Sequence, residues 1–587
     1  MTLAFRQPRS PAISRDEFAR LFRGASPSVG WSKKIAVAYS GGSDSTCLLF
    51  LIHRYLQDLR KETAKSRPSS ILSVTVNHGF QASSDDMAKH CEKYAKSLGI
   101  EHITSEIPWS RPPFPEKPRP GEAFEGIGRQ ARYHLLFQAM KQAGAEVLAL
   151  GHHGDDQVET SLIRLSKGTT ELGAGGMRKV RRWGMGVNNN GDENTVGWAG
   201  VEGMTSWMVR PLLEVSKERI LATCEENNLE YIDDSTNFQP ELTIRNAIRH
   251  LLSKNTLDPQ SIGLELPPDI ARSMEQLQIG LSSLRSVDLD PSEGLEQLRS
   301  SVNVLNEQVE DIETLVDSCL NRCHLPSPPS TYLVSYRGLS TIQNPLVKRA
   351  VVLRIMRYVS FHAWGSLRSD ADRRRKSVEQ VLKNLWTPDP FAAKITPFVA
   401  GGGVWWIPAV IGPKELKLSF HWSNKAPTVE PGETIGWIAC RQPPLKRTWM
   451  EDGGRGKPLW VDITDEVVAK LRTKHESRGQ KLAVLWDCRF LLHFDIDKIP
   501  PAVVRGVLDE GDRLMVHPQT RWYLPVVMHS QAKLGVERIV HNTLSTSNQG
   551  LVPLDRDTIA SWRSYTTIEA VTSRWIEITW VRSLSGL

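Results

Sequence analysis

The sharpest chemical signal in the sequence is a glycine- and hydroxyl-rich hexapeptide between an apolar run and a helical pattern. Its residues are Ser40, Gly41, Gly42, Ser43, Asp44 and Ser45. Glycines let a backbone approach an anion closely, and a helix start offers free N–H groups and about half a positive charge. The hydroxyls add donors, and Asp44 is placed to hold Mg²⁺ beside phosphates. A glycine turn that merely caps a helix is the alternative, but the hexapeptide predicts a nucleotide-binding site, although it lacks the GK[ST] of a Walker loop.

A second cluster of chemically active residues follows the apolar run Val147–Leu150, with the sequence GHHGDDQVET over residues 151–160. His152, Asp156 and Glu159 are spaced by four and three residues, which places them on one helical face if the helix begins early. Two carboxylates and an imidazole suit holding an ammonium group, positioning magnesium or moving protons. Acids that only match the helix dipole are the alternative, but they do not account for the paired histidines.

Two predicted helices carry arginine pairs whose spacing could hold phosphate. Arg129 and Arg132 share one side of the first helix, and Arg245 and Arg249 share one side of the second. Guanidinium groups bind phosphate in a bidentate manner. Each pair alone is a weak signal, because a basic helix face is usually only solvated.

The segments that must position these residues alternate between apolar runs and helical patterns. The predicted strands are Ile35–Tyr39, Ile71–Asn77, Ile100–Ile107, Val147–Leu150 and Met208–Leu212. The helices predicted between them cover Leu48–Tyr55, Met87–Leu98, Arg129–Gln142 and a segment from Asp155. This alternation predicts an α/β fold with a doubly wound parallel sheet, which binds ligands at the carboxyl ends of its strands.

The rest of the chain has a different character and predicts further domains. Residues 34–254 form the predicted catalytic domain, and residues 1–33 an N-terminal extension. A helical domain is predicted over 255–390, with an a/d repeat from Leu295 to Cys319 that indicates a long helix packed in a hairpin or bundle. Tryptophan, glycine and β-branched residues recur in short runs over 391–587, which predicts a C-terminal domain rich in β-strands.

Composition narrows the class of protein. The chain has 587 residues with 73 Lys and Arg against 66 Asp and Glu, a mild surplus that is compatible with a polyanionic partner. The longest apolar run, Val404–Ile411, is far shorter than the ~20 residues of a membrane span, which argues against an integral membrane protein. Seven scattered cysteines favour a reducing compartment over a disulfide framework.

The motifs, taken in order, resemble those of the tRNA(Ile)-lysidine synthase family within the PP-loop ATP pyrophosphatases. The correspondence covers roughly residues 34–250. The matching segments are SGGSDS at 40–45, Asn77-His78-Gly79, Arg129–Tyr133, Gly151–Thr160, a glycine-rich segment ending at Met177, Arg210–Leu213, Asp233–Asn237 and Arg245–Arg249. The sequence departs from the family pattern at Thr170 and Ala174, in a proline-rich loop over 109–121 and in an insertion over 184–203.

The resemblance implies ATP-dependent ligation of L-lysine to C2 of the wobble cytidine of an isoleucine tRNA with a CAU anticodon. ATP adenylates the C2 oxygen with release of pyrophosphate, and the lysine ε-amine then displaces AMP. By motif match, residues 40–45 hold the phosphates and Asp44 takes Mg²⁺. Arg132, His152, Asp156 and Glu159 position lysine and the base, and Arg245 steadies phosphate or anticodon. Which carboxylate acts as the base stays open.

Two other functions are compatible with parts of this pattern. A related PP-loop tRNA thiolase would modify cytidine with sulfur, but that chemistry commonly uses cysteine pairs. A non-catalytic tRNA-binding protein with a vestigial ATP fold is the other alternative. The joint presence of Asp44, Asp156 and Glu159 argues against it.

The N-terminal sequence indicates the cellular compartment of the protein. Arg6, Arg9 and Arg15 precede any acid, and the first 33 residues resemble a mitochondrial transit peptide interrupted by Asp16 and Glu17. Bacterial and organellar translation uses lysidine to read AUA. We therefore expect a mitochondrial protein if the source is eukaryotic, and a cytoplasmic one otherwise.

A basic segment predicts where tRNA is gripped outside the catalytic domain. Residues 348–383 hold ten lysines and arginines against three acids, and they weakly resemble the family's tRNA-contacting domain. We expect alanine at all of Arg373, Arg374, Arg375 and Lys376 to weaken tRNA binding. The slope of log K against log salt should fall by about 2–4, and ATP binding should be unchanged. An unchanged slope in filter-binding titrations would indicate a solvated helix face.

Overall fold

The computed structural model separates into two compact units, residues 1–311 and residues 312–586. It describes residues 10–62, 68–79, 84–118, 125–169, 171–186, 195–232, 240–284, 287–328, 330–366, 375–387, 396–412, 416–418, 429–444, 459–473, 479–542 and 571–585. No helix within these ranges is both long and apolar enough to cross a membrane.

The first unit is built on a six-stranded sheet in the order β3-β2-β1-β4-β6-β5. The strands are β1 Lys34–Ala38, β2 Ser70–Asn77, β3 Glu101–Glu106, β4 Val147–Ala149, β5 Val180–Arg182 and β6 Trp207–Val209. Five strands run parallel, and only the edge strand β5 is antiparallel to its neighbour. The predicted α/β fold is thus confirmed, with the antiparallel edge as an addition.

Helices pack on both faces of this sheet, and a further group of helices packs against one of them in a cluster of its own. They are α1 Arg15–Gly24, α2 Ser43–Glu62, α3 Ser84–Ser97, α4 Glu125–Gln142, α5 Gly154–Ser166, α6 Glu171–Ala174, α7 Glu202–Thr205, α8 Lys217–Glu226, α9 Ile244–Leu252, α10 Pro268–Ser282 and α11 Leu295–Cys323. Alternate residues of β1 enter different cores, because successive side chains of a strand point to opposite faces. Ile35 and Val37 pack with Leu48 of α2, whereas Ala36 packs with Leu136 of α4.

The strand order creates the cleft that a doubly wound sheet uses for ligands. β1 pairs with β2 on one side and with β4 on the other. The chain therefore builds the sheet outward from β1 through β2 and β3, and then continues it on the opposite side of β1 with β4. Loops from the carboxyl ends of β1 and β4 diverge at this switch point. The hexapeptide 40–45 follows β1 and the segment 151–160 follows β4, so the fold brings the two strongest motifs together.

The N-terminal segment is part of the core, in contrast to the predicted extension. Phe18 and Phe22 of α1 are buried, and the Phe22 ring stacks on Trp31 at 4.3 Å between centroids. The Glu17 carboxylate also pairs with Arg219 of α8 at 2.6 Å. Residues 10–33 therefore stabilise the first unit. Burial of their aromatic side chains holds them in the core, although the polar residues among them suggested a separate extension. Arg6 and Arg9 lie outside the described residues.

The predicted domain boundaries at 254/255 and 390/391 do not coincide with the division between the units. Helices α10 and α11 bury Met274, Leu298 and Val302 in one cluster with Leu162 of α5, so the segment up to residue 311 belongs to the first unit. The long a/d-patterned helix is present as α11. The boundary at 390/391 falls within one sheet of the second unit, because the strand Tyr332–Ser335 before it pairs with the strand Thr434–Arg441 after it.

The described strands of the second unit form three antiparallel sheets, which confirms the predicted β-rich C-terminal part. The first contains β7 His324–Leu325, β8 Tyr332–Ser335, β9 Phe398–Val399, β10 Val404–Ile411, β11 Leu416–Leu418 and β12 Thr434–Arg441. The others contain β13 Val461–Asp462, β14 Lys481–Trp486, β15 Phe490–Asp495, β16 Arg513–Gln519, β17 Leu524–Gln531, β18 Val536–Asn542 and β19 Ile576–Trp580. Its helices are α12 Tyr336–Ser340, α13 Pro345–Val359, α14 Arg375–Leu385, α15 Thr464–Arg472 and α16 Pro501–Arg505.

The positive charges of the basic segment 348–383 are not equally available to bind phosphate. Arg354 on α13 is buried and forms ion pairs with Glu313 and Asp317, so its charge is already neutralised within the second unit. Lys376 on α14 is exposed. Arg373 and Arg374 lie outside the described residues, and the expected change in salt slope stays a prediction from sequence.

Candidate active site

The loop after β1 is closed by its own hydrogen bonds. The Ser40 backbone N–H donates to Ser45 Oγ at 3.2 Å, and Ser45 Oγ donates to the Gly42 carbonyl at 3.0 Å. Gly41 has a φ of +82°, and a Cβ there would lie 3.0 Å from Cys91 Sγ, so the turn requires glycine. Ser45 thus shapes the loop, and α2 begins at Ser43 with free backbone N–H groups directed at any anion seated there.

A cavity of about 710 Å³ opens at the carboxyl ends of β1 and β4. Its wall brings together residues that are far apart in the sequence, namely Ser40, Gly42, Ser43, Asp44, Ser45, Asn77, His78, Arg132, Tyr133, His152, His153, Asp155, Asp156, Glu159, Lys217 and Arg249. Every predicted site residue except Gly41, Arg129 and Arg245 lies on this wall, and Arg245 is bonded to two residues that do. The segment Asp233–Asn237 lies outside the described residues.

Lys217 is a site residue that the sequence reasoning missed. Its Nζ donates to Asp44 Oδ1 at 2.6 Å and to Ser43 Oγ at 2.8 Å. Lys217 is the first residue of α8, where a cation meets the positive end of the helix dipole. A lysine at that unfavourable position is the sequence signal that could have revealed it. Its ammonium lies where a phosphate bound by the loop would need countercharge.

His153 lies between the carboxylates of the two motifs. It is buried, with Nε2 at 3.7 Å from Asp44 Oδ2 and at 3.5 Å from Asp156 Oδ2. Its backbone N–H also donates to Asp156 Oδ2 at 3.1 Å. Gly151, two residues earlier, leaves no room for a side chain, because a Cβ would lie 3.0 Å from the Asp44 carbonyl carbon. The two loops are therefore packed directly against each other.

Two arginines of α9 clamp the carboxylates of α5. Arg249 donates from Nε and Nη2 to the two oxygens of Glu159, at 2.7 and 3.0 Å. Arg245 Nη1 lies 3.0 Å from Glu159 Oε2 and 3.3 Å from Asp156 Oδ1, so it bridges both acids. The spacing of four residues places both guanidinium groups on one side of α9. The sequence predicts that this pair meets phosphate or anticodon, and the structure pairs it with the acids.

The two carboxylates differ in their electrostatic environment. Burial disfavours ionisation of Asp156, but His153, His152 and Arg245 outweigh burial and hold the pKa of this carboxyl below its usual range. Burial raises the pKa of the Glu159 carboxyl, and Arg249 opposes that rise. Asp156 is also the more accessible, with 13% of its side chain exposed against 3% for Glu159. Asp156 is thus the acid better placed to meet a cationic substrate.

Asp44 offers the oxygen ligand that Mg²⁺ requires. One third of its side chain is exposed to the cavity beside the loop, and carboxylate oxygens together with phosphate oxygens are the usual ligands of Mg²⁺ bound with a nucleotide. Asp44 therefore supplies one carboxylate that fits a nucleotide-associated magnesium ion, whose remaining ligands would be oxygens of phosphate and water.

Arg299 of α11 braces the two sides of this site. Its Nε donates to Asp155 Oδ1 at 2.7 Å, and its Nη2 lies 2.9 Å from Glu218 Oε2. Asp155 directly precedes Asp156 in the sequence, and Glu218 directly follows Lys217. Arg299 therefore ties the start of α5 to the start of α8.

We expect Arg299→Ala to lower the free energy of unfolding of the first unit by about 1–3 kcal/mol, since it removes charge-assisted hydrogen bonds that are only partly exposed. Urea denaturation measures this change. Arg272→Ala, at an exposed position on α10 of the same unit, is the matched control and should change stability little. Equal effects of the two variants would contradict the bracing role of Arg299.

Comparison with known proteins identifies the class of this domain. The family model described as the PP-loop domain matches residues 17–256. This part of the chain is a PP-loop domain, as the resemblance of its motifs predicted.

The similar curated proteins narrow the class to one family. The chain is 32% identical over 216 residues to the tRNA(Ile)-lysidine synthase of Bacillus subtilis, covering 37% of this chain and 39% of that protein. Proteins of the same name from Bradyrhizobium sp. and Alkalilimnicola ehrlichii are 34% and 31% identical over 43% and 41% of this chain, and the matches cover 60% and 45% of their lengths. The resemblance to the tRNA(Ile)-lysidine synthase family is thus confirmed for the PP-loop domain, while the matches span about two fifths to three fifths of these relatives.

Proposed function

We propose that this chain is a tRNA(Ile)-lysidine synthase, an ATP-dependent ligase. It would join L-lysine to C2 of the wobble cytidine of an isoleucine tRNA with a CAU anticodon. The observation that carries the proposal is the single cavity in which the loop 40–45, Lys217 and the Asp156–Arg245–Glu159 cluster meet. This combination offers an anion site beside a site for a cation. The names of the similar proteins supply the substrates.

In the first step the C2 oxygen of cytidine attacks the α-phosphorus of ATP. The bond from that phosphorus to the bridging oxygen breaks, and pyrophosphate leaves. The backbone N–H groups at the start of α2 and the Lys217 ammonium hold the phosphates during this step. Mg²⁺ held through Asp44 would neutralise phosphate charge when bound.

In the second step the ε-nitrogen of lysine attacks C2, the bond from C2 to oxygen breaks and AMP leaves. A lysine ammonium with a pKa near ~10.4 must first lose a proton, because only the free amine is a nucleophile. Asp156 is ionised and accessible, so it can draw the ammonium into place. Arg132, which also lines the cavity, can hold a phosphate or the lysine carboxylate.

Incorporation of labelled lysine tests this proposal. The full chain is incubated with ATP, Mg²⁺, labelled L-lysine and a CAU-anticodon isoleucine tRNA transcript, with a U34 transcript as the matched control. We expect label only in the cytidine transcript and only with ATP. Pyrophosphate release without label would favour the thiolase alternative, and tRNA binding without either would favour a non-catalytic binding protein.

We further propose mitochondrial localisation in a eukaryotic cell, on the arginine-rich N-terminus alone. Because residues 10–33 are part of the core, the test uses the full chain with a C-terminal fluorescent tag. A matched variant has Arg6 and Arg9 replaced by alanine. Mitochondrial signal that is lost in the variant is expected, and cytosolic signal from both would contradict the proposal.

A further inference from the structure

Arg210 lies buried directly behind His152. It follows β6 and is 4% exposed, and its Nε lies 3.2 Å from His152 Nδ1. Its Nη1 donates to the Arg178 carbonyl at 2.9 Å. Burial lowers the pKa of Arg210 only to about 10, so the guanidinium keeps its charge at neutral pH. The partners recorded for this buried cation in the described part of the chain are a ring nitrogen and a carbonyl oxygen.

This contact determines the tautomer of His152. A guanidinium group has donors and no acceptor, so Nδ1 of His152 must be the acceptor in the bond with Arg210. A neutral imidazole that accepts at Nδ1 carries its proton on Nε2. Among the described residues no hydrogen-bond partner of Nε2 is recorded, and His152 lines the cavity. The ring therefore offers the cavity one N–H donor.

The surroundings also keep this imidazole neutral. Burial is the largest effect, and the facing charges of Arg210, Arg129 and Arg245 add to it, with Asp156 acting in the opposite direction. Together they lower the pKa of His152 to about 3. At neutral pH the ring can donate a hydrogen bond but cannot readily accept a proton.

The position of His152 indicates what it meets. It comes directly after Gly151, which packs against the backbone of Asp44 at the start of α2. His152 also lines the same cavity as the loop 40–45, so a group held by the loop and extending into the cavity is within the same space as the His152 ring. In the proposed reaction the adenylate phosphate is such a group, and its oxygen leaves C2 with developing negative charge.

We propose that Arg210 is a positioning residue that fixes His152 as a neutral Nε2–H donor to a phosphate oxygen of the departing AMP. The role in the reaction rests on the proposed function, whereas the tautomer does not. The contribution of His152 is thus a directed hydrogen bond that strengthens as AMP leaves, rather than removal of a proton from lysine.

Nitrogen NMR of the protein labelled with ¹⁵N-histidine tests the tautomer without any substrate. The His152 signals are assigned by their loss in His152→Gln. We expect the neutral Nε2–H form from pH 8 down to about 4. In Arg210→Met the pKa should rise by about one pH unit or more, and the tautomers should mix, because the donor and one cation are gone.

The control for this experiment is Arg164→Met, which removes another guanidinium that donates to carbonyls in the same unit. It should leave the His152 signals unchanged. If Arg210→Met does not fold, the wild-type spectrum decides by itself: an Nδ1–H tautomer, or half-protonation near pH 6.5, would overturn the proposal.

Single-turnover kinetics tests the role in the reaction. With the adenylated tRNA preformed, we expect His152→Ala to slow displacement of AMP by lysine by about 10²-fold, the usual cost of removing one such donor. His152→Gln keeps an N–H donor and should recover most of that loss. Its pH profile from pH 6 to 8 should be the same as that of the wild type, because His152 does not change its protonation in that range. Equal losses in both variants would exclude the donor role. If the wild type forms no adenylate, the proposed function fails, and the NMR result still decides the tautomer.

Discussion

Replacement of Asp44 by asparagine should reduce adenylation by roughly two orders of magnitude or more. Asparagine keeps the size of the side chain but removes the charge that would hold Mg²⁺ and that pairs with Lys217 at 2.6 Å. Stabilisation of phosphate charge by a metal is worth several kcal/mol, and each ~1.36 kcal/mol is a factor of ten in rate. Pyrophosphate release in a single turnover with tRNA measures the effect.

The affinity for tRNA should survive the same substitution, since one carboxylate at the nucleotide loop contributes little to binding of a large polyanion. Asp58→Asn is the matched control, because Asp58 lies on the same helix and pairs with Arg15 at the surface, away from the nucleotide loop. It should leave adenylation unchanged. Equal loss of tRNA affinity and adenylation in Asp44→Asn would show that Asp44 serves the fold rather than the nucleotide.

Replacement of Glu159 by glutamine should reduce both stability and activity. The carboxylate is nearly inaccessible and is bonded by Arg249 through two atoms and by Arg245 through one. Glutamine leaves two guanidinium groups without this countercharge. We expect the free energy of unfolding to fall by about 2–3 kcal/mol. This is less than the cost of breaking a fully buried ion pair, because both arginine side chains are partly exposed to solvent.

Lysine incorporation should fall by about 10²-fold in the same variant, because Arg245 also positions Asp156 and small displacements at a reacting centre are costly. Glu146→Gln provides the control, since Glu146 is exposed in the same unit, before β4. Denaturation and lysine incorporation are measured on both. Unchanged activity in a destabilised Glu159→Gln would indicate that the clamp serves only to hold α5 on α9.

The candidate site was largely predictable where the motif was local. Asp44 comes directly after a buried strand and a glycine turn, and Asp156 and Glu159 share a turn of α5, so their side chains were placed by spacing alone. Lys217 was missed because its meaning depends on Asp44, 173 residues earlier in the chain. Arg210 was read only as part of a motif, since nothing near it in the sequence shows that it faces His152.

The sequence by itself determined the alternating strands and helices, the nucleotide loop and the family resemblance, because these depend on backbone preferences and on side chains within a few residues of each other. Tertiary structure decided what those elements meet. The strand order sets β1 beside β4, which brings Asp44 to His153. The packing of α9 on α5 pairs Arg245 and Arg249 with Glu159, a contact that the sequence did not predict. Tertiary structure also placed α1 in the core and Arg354 in buried ion pairs. Such contacts join residues tens to hundreds of positions apart in the sequence. They are stabilised by packing and charge pairing between distant segments, which a local sequence pattern does not show.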